Sequence, residues 1–200
     1  MGRFIGLGII GALMLSAEIH PARASENLLR NGSFEHESTN AVFTEAQHWK
    51  YADPDPHGDY WGSASRENWR AVDGEFIGSV RGLWADRGNC GGVWQEVKAE
   101  PGAIYRFSGW FFCDPEWMAR TQEIIIEFWD AAHTNLIASE RRDIGGCDAD
   151  WTELSVEAAT PENAAWVRVV INVAETGAAG SLQFDNLALI KNNPHTEARP

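Results

Sequence analysis

Apolar and polar positions alternate with a period of two over most of this chain. In 103–113, Tyr105, Phe107, Gly109 and Phe111 form one set, against Arg106, Ser108, Trp110 and Phe112. In 164–173, Val167, Val169, Ile171 and Val173 oppose Trp166, Arg168, Val170 and Asn172, and in 122–130, Ile124, Ile126 and Phe128 oppose Ile125, Glu127 and Trp129. Successive side chains of a strand point to opposite faces, so each run reads as a strand with one buried side. Similar runs, bounded by Pro101-Gly102, Asp114-Pro115, Gly145-Gly146, Pro161, Gly177 and Gly180, predict strands over 27–34, 43–51, 76–84, 92–98, 103–113, 122–130, 135–142, 151–158, 164–173 and 181–190. Short strands at that spacing predict an all-β fold, a β-sandwich or jelly roll of about ten antiparallel strands. No helix-length segment carries a 3.6 period, and 114–121 is expected to form one helical turn. With no internal repeat or linker, 25–190 is expected to be one domain, followed by a polar tail over 191–200.

Three strands place a Trp on their mixed polar side, away from the purely apolar set. Sugar rings offer flat C–H faces to aromatic side chains and hydroxyls to polar ones. Trp110, Glu127, Trp129, Trp166, Arg168 and Asn172 have that composition and form the leading candidate for a carbohydrate-binding face. The competing expectation is that these indoles close an outer layer under loops, each N–H meeting a partner. The long irregular segment 52–75 is a second candidate, with Tyr60 and Trp61 at its rim, because long loops inside compact domains tend to carry function. Trp49, Trp94 and Trp151 are expected to be architectural.

Composition narrows the function classes. The chain has 200 residues, 44% hydrophobic, which excludes a mainly disordered protein. Its formal net charge of -13 disfavours nucleic acid, anionic membrane surfaces and acidic polysaccharides as partners. Residues 1–24 carry Arg3, an apolar run over 4–17 and Ala22-Arg23-Ala24, the pattern of a signal peptide cleaved near Ala24-Ser25. The run is shorter than the roughly 20 residues of a membrane-spanning helix, so a secreted, periplasmic or cell-surface protein without membrane insertion is expected. Export into oxidising surroundings favours one disulfide among Cys90, Cys113 and Cys147. If consecutive strands alternate in direction, the turns at 85–91, 114–121 and 143–150 share one end, making Cys113–Cys147 or Cys90–Cys147 the favoured bridges. Asp53, Asp55, His57 and Asp59 are interrupted by prolines and lack the closing Glu of a calcium loop. Neither a G-x-S-x-G elbow nor an H-E-x-x-H motif occurs, so an enzyme is not expected.

The segments ENLLRNGSFE (26–35), GGVWQEVKAEPGAIYRFSGW (91–110), DWTELSVEAATPENAAWVRVVI (150–171) and LQFDNLALI (182–190) together resemble the carbohydrate-binding modules attached to cellulases and xylanases. The resemblance implies a galactose-binding-domain-like jelly roll. It also implies one structural calcium, with Glu35 and Asp185 at the positions that supply carboxylate oxygens. The expected function is non-catalytic binding of a neutral poly- or oligosaccharide by an exported protein. An extracellular adhesion or scaffolding module that binds protein is the alternative, and a small glycan-active hydrolase is a more remote one.

Overall fold

The computed structural model describes residues 26–38, 46–52, 65–82, 90–145 and 150–192. Tyr60, Trp61, Cys147, the 1–24 segment and the tail beyond 192 lie outside them. The described residues contain ten strands: β1 (Lys50–Ala52), β2 (Ser65–Glu67), β3 (Ile77–Arg81), β4 (Gly91–Lys98), β5 (Ile104–Cys113), β6 (Ala119–Trp129), β7 (Leu136–Asp143), β8 (Thr152–Ala159), β9 (Trp166–Thr176) and β10 (Ser181–Asn192). They form two five-stranded antiparallel sheets. The front sheet runs β1-β4-β9-β6-β7 and the back sheet β2-β3-β10-β5-β8. From β3 onward every connection except the β6–β7 hairpin crosses between sheets, the all-β jelly-roll sandwich expected from the alternation.

The two inner faces close on each other. Val167, Val169, Ile171 and Val173 of β9, with Ile124, Ile126 and Phe128 of β6, are at most 1% exposed. They meet Tyr105, Phe107 and Phe111 of β5 and Leu182 and Phe184 of β10, with Tyr105 tilted against Phe128 across the sandwich. Each fully buried large side chain contributes roughly 1.5–3 kcal/mol. Gly78 on β3 leaves the space that the Phe184 ring fills; a Cβ there would lie 2.0 Å from it.

Three predicted elements differ. Residues 27–34 do not form a strand: Asn31 and Phe34 take left-handed backbone conformations, and the segment folds back as a plug. Phe34 enters the core, stacked on Trp49 and edge-on to Phe184. Asn27 ties the plug to β10 by donating to the Leu187 carbonyl and accepting from the Leu189 N–H, beside the bulge between Asp185 and Ala188. Of the described part of 43–51, residues 46–49 are not strand and only the end is, as β1. The expected helical turn at 114–121 is a tight turn followed directly by β6. Strand β2, inside the segment read as a loop, is polar, and its Arg66 is buried, donating to the Phe34 and Glu35 carbonyls.

The strand-direction expectation is visible at one end of the sandwich. Cys90 accepts a hydrogen bond from the Glu175 N–H, Gly177 donates to the Met118 carbonyl, and Gln122 donates to the Gly145 carbonyl. Cys113 is buried at this end and is disulfide-bonded.

Candidate carbohydrate-binding face

Register decides which predicted side chains meet. In the front sheet Trp94 of β4 pairs with Val170 of β9, Glu96 with Arg168, and Lys98 with Trp166. On the other side of β9, Val170 pairs with Ile125 of β6, Arg168 with Glu127, and Trp166 with Trp129. One parity of β4, β9 and β6 therefore forms a continuous outer face carrying Trp94, Trp129, Trp166, Glu96, Glu127, Arg168 and Asn172. From Trp166 to Asn172 it runs about 20 Å along the strands, and it is about 10 Å wide across three of them.

Arg168 organises this face. Its guanidinium lies 4.1 Å from the centroid of Trp94 and 4.6 Å from that of Trp129. It is 3.0 Å from the Glu96 carboxylate and 3.9 Å from that of Glu127. All three charged side chains are less than one-fifth exposed. A half-desolvated guanidinium gains from each ring face and from each carboxylate more than it would in water. Trp129 donates its indole N–H to Glu127 at 2.8 Å, fixing both side chains. Lys50 covers the outer side of Trp94 at 4.2 Å and Lys98 covers Trp166 at 3.7 Å.

The β6–β7 turn adds His133. Asp130 accepts from the Thr134 N–H and from the Thr134 and Asn135 side chains, bonds that hold its carboxyl down to about 2. The turn puts His133 in a left-handed conformation, with its ring 4.6 Å from that of Trp166 and its Nδ1 3.3 Å from Glu96. The Trp166 indole N–H is buried with no hydrogen-bond partner among the described residues.

Of the six leading candidates, five share this face: Glu127, Trp129, Trp166, Arg168 and Asn172. Trp110 does not. Strand β5 pairs with β10 and β8, so Trp110 lies on the outer side of the back sheet, opposite Asp185 and Glu153. The parity within β5 is as predicted, but the strand belongs to the other layer. Trp94, expected to be architectural, belongs to the front face; the alternation Gly92, Trp94, Glu96, Lys98 was the available signal. Glu96, Lys50 and His133 are further members that strand patterning alone did not single out. Trp49 is buried and donates to the Asn31 carbonyl, and Trp151 donates to the Arg70 carbonyl.

Glu35 and Asp185 meet one loop from two sides. Glu35 Oε1 accepts from the N–H groups of Glu75 and Phe76. Asp185 accepts from Val72, Asp73 and its neighbour Asn186 at 2.6–2.9 Å. Burial pushes the Asp185 carboxyl up to about 6, against the pull of those donors. Calcium needs six to eight oxygens. Here Glu35 Oε1 and both Asp185 oxygens face N–H donors, the Phe34 and Glu35 carbonyls go to Arg66, and no group of three His, Cys, Asp or Glu side chains converges among the described residues. As arranged here, the two carboxylates are engaged mostly by N–H donors.

No protein-family model and no curated protein matches the chain. Solved structures do. The chain is similar to tailspike protein 4 of bacteriophage CBA120, an enzymatically active domain, at TM-score 0.62 and 16% identity over 83% of this chain, although it spans only 21% of that one. It is similar to TmCBM61, solved with β-1,4-galactotriose, at TM-score 0.51 and 16% identity, covering 84% of this chain and 100% of that one. A further match is the CBM22-1 xylan-binding domain of Paenibacillus barcinonensis Xyn10C, at TM-score 0.52 and 14% identity, covering 88% and 100% respectively. At these identities the likeness establishes the fold, that of the carbohydrate-binding-module jelly rolls.

Proposed function

We propose that this protein binds a neutral glycan chain along the outer face of the front sheet and performs no chemistry on it. The observation that carries the reading is the row of three indoles interleaved with Glu96, Glu127, Arg168 and Asn172 on adjacent strands. The face pairs its own charges, Arg168 and Lys50 with Glu96 and Glu127, and Arg141 with Glu123, which suits an uncharged ligand. Lys50 and Lys98 lie over the indoles at its rim; Lys50 is 62% exposed, so a sugar ring can take its place on the Trp94 face at small cost. The sugar-bound state of two of the fold neighbours, or their named specificity, is compatible with this reading.

Affinity electrophoresis in gels containing soluble xylan, galactan or mixed-linkage glucan tests it. Retardation in at least one gel is expected, lost on Trp129→Ala. Release of reducing ends would indicate a hydrolase instead, and capture of an envelope protein with no retardation in any gel would favour the adhesion reading. The same proposal includes export after cleavage near Ala24-Ser25 and a Cys113–Cys147 bridge, which intact-mass analysis with and without reductant checks.

A further inference from the structure

The outer side of the back sheet holds a cavity of about 290 Å³ lined by Trp69, Arg70, Asp114 and Gln183. Its floor is polar and buried. Gln183 on β10 is 2% exposed, and its amide N–H groups donate to the Ser181 hydroxyl and to Asp114, which leaves Oε1 with no partner. Ser79, directly across the β10–β3 ladder from Gln183, is fully buried and its hydroxyl also lacks a partner. An unsatisfied buried polar atom costs about 1–3 kcal/mol, so two on adjacent strands mark a place where a ligand or ordered water completes the bonding. Asp114 is already oriented, one oxygen accepting from Ser181 at 2.7 Å.

The rim is built as well. The Arg70 guanidinium lies over the Phe112 ring at 4.5 Å, and the Arg70 backbone carbonyl accepts from the Trp151 indole, so the cation is held at the cavity edge. Trp69 is 38% exposed, and Arg81, paired to Glu67, packs against its ring. An exposed indole, two acceptors and one fixed donor within a volume at the low end of ligand pockets match a single sugar ring with neighbouring hydroxyls.

We infer that this cavity is a second, independent subsite that takes one neutral sugar residue, a chain end or a branch. Hydroxyls donate to Gln183 Oε1 and the Asp114 carboxylate, a ring or hydroxyl oxygen accepts from Arg70, and the C–H face rests on Trp69. Asp114 beside the opening disfavours an acidic sugar. The subsite does not depend on the front face, and the two can fail separately.

Ligand-observed NMR on the mature chain, with methyl glycosides of glucose, galactose, mannose, xylose and arabinose as probes, tests the inference. At least one glycoside is expected to bind, unchanged in Trp129→Ala and weakened about tenfold or more in Trp69→Ala and in Gln183→Leu, a loss of about 1.4 kcal/mol. Trp69 is on the surface, so its variant reads the site even if the Gln183 variant folds poorly. Absence of binding by every glycoside, or binding that survives Trp69→Ala, overturns the inference; in the first case ordered water completes the Gln183 and Ser79 bonds.

Discussion

The outer faces of the two sheets use the same residue types in opposite ways. On the front, Arg168 is sunk between two indoles and two carboxylates, and it is only 17% exposed. On the back, Arg106 of β5 reaches Glu153 and Glu157 at 3.8 and 3.7 Å while remaining 37% exposed. Aromatic flanks exclude water from the first network and leave the second in solvent. Low dielectric strengthens a charge pair and also makes each partner expensive to leave alone.

The largest expected effect follows from that contrast. Arg168→Ala removes the one guanidinium shared by the largely buried Glu96 and Glu127, leaving Glu96 only the more exposed Lys50 and His133, and should cost about 3 kcal/mol in urea unfolding, whereas Arg106→Ala should cost less than about 1 kcal/mol. Equal losses would erase the distinction between the faces.

A second expectation concerns Asp185, on the back sheet beneath the 72–76 loop. Its native pKa of about 6 lies above the ordinary 3.8, so the folded protein holds this proton more tightly than the unfolded chain. The contribution is fully present below about 4 and is lost as pH rises through 6. Relative to Asp185→Asn, the wild type should lose roughly 2 kcal/mol of stability across that window. A difference that grows with pH instead would show that the N–H donors outweigh burial. The smallest effect is expected from chelation: because Glu35 Oε1 and both Asp185 oxygens accept from N–H groups, EDTA should leave the melting temperature unchanged, whereas a drop of several degrees would show that calcium binds there.

Much of the fold was legible because the long strands alternate cleanly. Faces within β5, β6 and β9 follow directly from the spacing of Val167, Ile124 and Tyr105 with their partners. Parity within a strand, however, does not say which layer the strand joins, so by parity alone Trp110 is indistinguishable from Trp129 and Trp166. The N-terminal plug looked like a strand because nothing in NLLRNGSF announces that Asn31 and Phe34 turn left-handed. Strand β2 is not legible in the sequence because Ser-Arg-Glu offers no apolar alternation, its buried member being an arginine held by carbonyls. Trp94 carries a readable signal in its own strand, in the alternation Gly92, Trp94, Glu96, Lys98, but its place near the strand start, at a core-like position of the resemblance, points to an architectural role. His133 depends on a turn whose geometry Asp130 sets, and that is a tertiary fact.

The central claim is that a glycan chain lies along the front face, with Trp110 of the back sheet taking no part. Affinity electrophoresis of Trp129→Ala and Trp110→Ala in the polysaccharide gel that retards the wild type tests it most directly. The account predicts that Trp129→Ala migrates as it does without polysaccharide, while Trp110→Ala is retarded like the wild type. Retention of retardation in Trp129→Ala, with loss in Trp110→Ala, would contradict it.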